Sequence, residues 1–231
     1  MNQVLVIAEI GNCHFGDLQH AKQLILAAKN AGADLVKSQA FIGDDITGSM
    51  PVEFYRKCAF TFNEYLELII YGRSIDINVF YSIFSPELMP LQGHQYFHKL
   101  SASHIKNRNF DMNYYDKETT FASIPNALMA PKFREAKPMF VSEYLDQDPP
   151  LENIQTLTKI YNRPIGYSDH SKGIQNCVRA VEYFGAVCLE KHMTIQKDFK
   201  WKGVLYRDCI HSSTPIEFGK LVNIINRSGM N

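Results

Sequence analysis

Apolar residues along this chain follow two alternating rhythms. Short β-rich runs, VLVIAE (4–9), DLVKSQ (34–39), NVFYSIF (78–84), RPIGYSDH (163–170) and AVCLEKH (186–192), alternate with stretches of helical period. Asp17 is placed to cap a helix whose stripe is Ala21, Leu24, Ile25 and Ala28, with Gly32 suited to the left-handed residue that ends it. Thr61 and Glu64 have capping-box spacing ahead of YLELII, with Gly72 near that helix's end. Ile174, Cys177, Val178 and Val181 predict a helix closed by Gly185, and Thr214, Pro215 and Glu217 open a last one.

Eight candidate strands end near Glu9, Lys37, Ser82, Lys99, Ser123, Tyr144, His170 and His192. The stretch 105–137 is the least periodic and contains the strand expected at 120–123. Repeated strand-then-helix units imply a parallel sheet with helices outside it. Eight of them predict an α/β fold closed as a (β/α)8 TIM barrel, one domain over residues 1–231.

A buried strand has no reason to finish on charge, yet LEKHMT (189–194) places Glu190 and His192 two residues apart, on one face. The other strand ends carry Glu9, Lys37, Gln39, Ser82, Lys99, Ser142, Tyr144, Ser168 and His170. In such a barrel these ends form the active-site face. Two imidazoles on neighbouring strand ends suit one divalent metal, with carboxylate or water completing the shell; the alternative is two histidines bonded to loops. Lys37 and Lys99 facing one mouth would make a phosphate or carboxylate site, helped by hydroxyls of Ser82, Ser123, Ser142 and Ser168; the alternative is that they reach solvent. His14, in GNCHFGD, either touches a ligand or fixes the turn. Asp208 and His211, in YRDCIHSS, lie where a loop would fold over the mouth, and Trp201 reads as loop packing.

Composition narrows the classes. The 24 basic and 24 acidic residues cancel, so no basic field attracts nucleic acid or a membrane surface. Hydrophobic content of 45% supports a core, and no apolar run reaches the length of a membrane span. The five cysteines lack C-x-x-C spacing and read as reduced thiols. With no signal-peptide pattern at the start, a soluble cytoplasmic protein is expected.

The strings AEIGNCHFGD…AKQLILAAKNAGADLVKSQ, VSEYLDQDPPLENIQTL, RPIGYSDHSKG and GAVCLEKHMT resemble, in the same order, signatures of the sialic acid synthase family, the phosphoenolpyruvate-condensing nonulosonate synthases. The resemblance implies the barrel and a divalent metal, Mn2+ or else Mg2+ or Co2+, held by His170 and His192. It implies Glu9 near metal or substrate, and Lys37, Lys99, Ser168 and Ser123 on phosphoenolpyruvate. Gln39, Tyr144, Glu190 and Asp208 match residues that face the sugar or assist the chemistry. The implied partners are small molecules, phosphoenolpyruvate and an N-acetylmannosamine-like aldose, with a homodimer as the assembly seen in relatives. The implied reaction yields a sialic-type acid plus phosphate; the competing readings are a barrel that binds without turnover and a metal-dependent hydrolase or aldolase.

The sequence also departs from that family. In KLSASH, Ala102 and His104 stand at the family's serine and acid positions, leaving His104 suited to proton transfer rather than to a carboxylate's electrostatic work. YSIFSP, ASIPN and Cys13 replace further motif residues, and YRD retains only Asp208 of a Gly-Pro-Asp. No counterpart of the family's C-terminal antifreeze-like domain is expected within these residues.

Overall fold

A computed structural model describes residues 3–46, 50–102, 116–128, 135–142 and 148–228. Strands β1 (Leu5–Gly11), β2 (Leu35–Ala40), β3 (Asn78–Ile83), β4 (His98–Leu100), β5 (Thr120–Ile124), β6 (Lys137–Ser142), β7 (Gly166–Asp169) and β8 (Cys188–His192) form one parallel sheet. Its order is β3-β2-β1-β8-β7-β6-β5-β4, and β3 packs beside β4, bringing the sheet round on itself. This is the expected TIM barrel, with helices outside.

Side-chain alternation divides the strands between two environments. On the inner face, Ile7, Leu35, Phe80, Phe121, Met139 and Cys188 fill the end where the strands begin. On the outer face, Val6, Ala8, Val36, Val79, Phe140 and Leu189 join the larger core beneath the helices. Two residues further along the inner face, apolar gives way to charge: Glu9 follows Ile7, Lys37 follows Leu35, and Glu190 follows Cys188.

The helices begin where local chemistry allows. Asp17 accepts hydrogen bonds from the amides of Gln19 (2.8 Å) and His20 (3.0 Å), opening α1 (Leu18–Asn30). Helix α2 (Val52–Cys58) precedes α3 (Phe62–Ser74), which Thr61 and Glu64 cap reciprocally. Helices α4 (Glu152–Tyr161) and α5 (Gln175–Glu182) flank β7. In α5 the buried residues are Asn176, Cys177 and Ala180; Ile174 sits at the N-cap, and Val178 and Val181 are only partly buried. The expected stripe thus packs on the core, and polar Asn176 joins the buried side by donating to the Ser171 hydroxyl at 3.0 Å.

After β8 the chain makes a small hairpin, β9 (Lys200–Trp201) with β10 (Val204–Leu205), and a one-turn helix α6 (Arg207–His211). Helix α7 (Pro215–Ser228) follows, with Thr214 and Glu217 exchanging cap bonds. Trp201 packs at 5.8 Å from the Phe54 ring, as loop packing requires. Among the described residues no helix is long and apolar enough to cross a membrane.

Gly16 ties the first loop to α2. Its φ is +76°, and a Cβ there would land on the Lys57 carbonyl oxygen, with backbone on both sides. Gly16→Ala should therefore destabilise the fold by more than about 1 kcal/mol, read as a lowered urea midpoint with an unchanged slope.

Candidate active site

The inner-face charges converge. Glu190 lies at the centre, its Oε2 2.7 Å from Lys99 Nζ and its Oε1 3.8 Å from Lys37 Nζ. Ser168 donates its hydroxyl to Glu190 Oε1 at 2.9 Å. Lys37 also pairs directly with Glu9, whose other oxygen accepts the Gly11 amide at 2.6 Å. The strand register makes this possible, setting Glu9 beside both Lys37 and His192, and Ser168 beside Glu190. Neither lysine reaches solvent: Lys37 is 5% and Lys99 2% exposed.

Charges so buried persist only if paired. Burial pushes the Glu190 carboxyl up, but Lys37, Lys99 and the Ser168 hydroxyl outweigh it and hold it well below the usual carboxylate range. Burial pulls Lys37 down to about 8, against the attraction of Glu190.

His192 ends β8 and His170 directly follows β7, with ring centroids 5.0 Å apart and planes at 57°. Burial lowers both pKa values, His192 well below its ordinary value, so both imidazoles are neutral near pH 7. His170 Nδ1 donates to the Ser142 carbonyl at 3.1 Å, leaving Nε2 with its lone pair. His192 Nδ1 is buried without a hydrogen-bond partner. Gly11 keeps the space beside it open, since a Cβ there would sit 3.7 Å from both His192 Cε1 and Glu9 Oε1. Two neutral imidazoles, one with an orphaned ring nitrogen, fit a divalent cation. Among the described residues no group of three or more metal-binding side chains is assembled, so water or substrate would supply the remaining ligands.

The cavity over these groups measures about 260 Å3 and is also lined by Gln39, Ser82 and Ser123. The Ser82 hydroxyl is buried and unpartnered. Ile46, Phe84, Ser101, Ala102 and Val141, which the rim pattern did not single out, line it too. A second cavity, about 300 Å3, opens at the opposite end of the barrel over Phe121, Met139 and Cys188, away from the paired charges.

Ser142 departs from expectation. It shares the outward parity of Phe140, and its hydroxyl bonds the Tyr167 hydroxyl at 2.9 Å, so only its carbonyl serves the site. Asp208, on α6, does not line the cavity, but acts electrostatically on Lys37 and His170 and accepts the Tyr206 hydroxyl at 2.6 Å. His14 fixes the turn: its Nδ1 accepts the Gly16 amide at 3.1 Å, its ring stacks 4.4 Å from Phe60, and burial lowers its pKa to about 3. Tyr144 and His104 lie outside the described residues.

A model of the NeuB family matches residues 143–229, the stretch that carries Ser168, His170, Glu190 and His192. Over that stretch the chain is similar to the NeuB family. It is 29% identical to an uncharacterized protein of Methanocaldococcus jannaschii, over 95% of this chain and 69% of that protein. It is 27% identical to the N-acetylneuraminate-9-phosphate synthase of Mus musculus, over 96% of this chain and 70% of the enzyme. The crystal structure of the N-acetylneuraminic acid synthetase of Leptospira borgpetersenii with citrate superimposes with a TM-score of 0.84 at 28% identity, covering 98% of this chain and 84% of that one. A truncated 3-deoxy-D-arabino-heptulosonate 7-phosphate synthase of Thermotoga maritima shares the fold, at a TM-score of 0.70 and 11% identity, over 97% of this chain and 86% of that one.

In this barrel the last strands are charged on both faces, which the rim reading did not find. Behind His170 and His192, Lys191 Nζ lies 2.9 Å from Asp169 Oδ2, both side chains fully buried. Asp169 Oδ1 accepts the Tyr167 hydroxyl (2.9 Å), the Ser171 amide (3.0 Å) and the Ser171 hydroxyl (2.7 Å). The signal was present in GYSDH and LEKH, where the outward positions between the inner residues are also polar. Asp169→Asn leaves the Lys191 charge unbalanced in this packed layer and should lower the unfolding free energy by about 3–5 kcal/mol. Equilibrium urea unfolding measures it, and a loss within experimental error would contradict the pairing.

Proposed function

We propose that this barrel, residues 1–231, condenses phosphoenolpyruvate with the open-chain aldehyde of an amino sugar to give a nonulosonic acid and phosphate. The NeuB family is one of phosphoenolpyruvate-dependent nonulosonic acid synthases that use a divalent metal. The carrying observation is the buried meeting of Lys37, Lys99, Glu9 and Glu190 beside a neutral histidine pair.

Lys37 and Lys99, with the hydroxyls of Ser82, Ser123 and Ser168, take the phosphate and carboxylate of phosphoenolpyruvate. That clamp orients C3 of the enol toward the aldehyde carbon, and attack leaves positive charge at C2. Glu190 and Glu9 lie where a carboxylate stabilises that charge and accepts a proton from the water that adds there, after which phosphate departs. Gln39 faces the acceptor, and Asp208 stands behind it through Tyr206 and Asn12. His170 and His192 hold the divalent cation, which when bound supplies a Lewis acid for the aldehyde oxygen.

Two carboxylates against two ammonium groups leave the cavity without net charge, so its affinity for a polyanion rests on the cation. Removing the metal with a chelator should weaken phosphoenolpyruvate binding at least about tenfold by calorimetry. The Lys37 charge is present below its value of about 8 and lost above it. With cation present, kcat/KM for phosphoenolpyruvate should therefore fall as pH rises through that value.

The purified protein with Mn2+ and phosphoenolpyruvate should release phosphate only when an aldose acceptor is added. Silence across N-acetylated hexosamines and simpler aldoses would remove the synthase reading. Ala102, lining the cavity where the family pattern has serine, favours one second reading, a barrel that binds phosphoenolpyruvate without turnover. Calorimetric binding without any phosphate release would select it.

A further inference from the structure

Four polar side chains at the mouth form a chain whose hydrogen-bond direction is fixed from one end. Asp208 is a carboxylate on α6 and only accepts, so the Tyr206 hydroxyl, 2.6 Å from its Oδ2, must donate. Having used its proton, the Tyr206 oxygen accepts, and the group 3.5 Å away is Asn12 Nδ2. The remaining hydrogen of that amide points to Gln39 Oε1 at 3.0 Å. The Gln39 carbonyl is thereby occupied, and its NH2 is the end left for the cavity it lines. This orientation satisfies both contacts of the Asn12 amide nitrogen and leaves its Oδ1 buried without a partner, whereas reversed amides would keep only the bond between Asn12 and Gln39.

We propose that Asp208, Tyr206 and Asn12 are a one-way relay that sets the polarity of Gln39, so that the acceptor end of the cavity offers an N–H donor. Its complement is a polyhydroxylated ligand that presents a carbonyl or hydroxyl oxygen to Gln39. The assignment rests on the synthase reading for which substrate occupies that end. Tyr206 and Asn12 are positioning residues, each about 1% exposed and acting through Asp208 and Gln39. The arrangement is held from both sides. The Cys13 and Cys209 sulfurs, adjacent in sequence to Asn12 and Asp208, touch at 3.2 Å, and the far end of α6 is pinned by Ser213 bridging to Met193.

Reversing the relay separates polarity from packing. Asn12→Asp keeps the shape but replaces the donor by an acceptor, so Gln39 must turn its NH2 inward and its carbonyl toward the ligand. Asn12→Ala merely releases Gln39. With Mn2+, phosphoenolpyruvate and N-acetylmannosamine, Asn12→Asp should raise the acceptor KM about tenfold and leave the phosphoenolpyruvate KM within about twofold. Asn12→Ala should do less, and Tyr206→Phe should resemble Asn12→Ala. A role in packing alone predicts the opposite order, since Asp is the isosteric replacement. Asn12→Ala more damaging than Asn12→Asp, or an equal rise in both Michaelis constants, overturns the relay. If the wild-type chain turns over no aldose, the synthase reading fails and side-chain amide NMR decides the relay by itself. Tyr206→Phe, which does not touch Gln39, then shifts the Gln39 NH2 resonances (identified by their loss in Gln39→Glu), and unmoved resonances overturn it.

Discussion

Glu190 is held between two ammonium groups in a place where none of the three charges can reach bulk water. A lone carboxylate there would take up a proton, and a lone lysine would lose one. Each survives because the others are present, and they are present together because the parallel register of β1, β2, β7 and β8 sets their strand ends level. The cluster is thus a statement about the closed barrel: open the sheet, and the charges disperse into solvent.

The same strands solve a second electrostatic problem on their outer face. Lys191 and Asp169 alternate with Glu190, His192, Ser168 and His170, so every residue of these strand ends carries polarity, four facing inward and two outward. The outer pair binds Ser171 and Tyr167, and through Tyr167 the Ser142 hydroxyl, while the Ser142 carbonyl orients His170. A hydrogen-bonded shell behind the histidine pair fixes the His170 ring before any ligand arrives. The cavity is in this sense built from its back wall forward.

At the mouth, residues that depart from the resembled motifs meet residues of other segments. Cys13 meets Cys209, and Tyr206, at the head of YRD, reaches both Asp208 and Asn12. These substitutions lie in segments distant in sequence, yet they meet where the first loop and α6 meet. They leave Lys37, Lys99 and the histidine pair in place.

What the sequence by itself determined is the order and number of the barrel strands, the caps at Asp17, Thr61 and Thr214, and the polar residues that stand at the strand ends. All three are local properties, written in period, in capping spacing and in polar residues at the ends of apolar runs. It did not determine which carboxylate pairs with which lysine, that the Ser142 hydroxyl faces outward, or that His14 serves its own turn. Nor did it reveal the Asp169–Lys191 pair or the contact of Tyr206 with Asn12, partners 22 and 194 residues apart. Those depend on strand register and on where loops cross. Register is set by the closure of the whole sheet, and no local pattern encodes it.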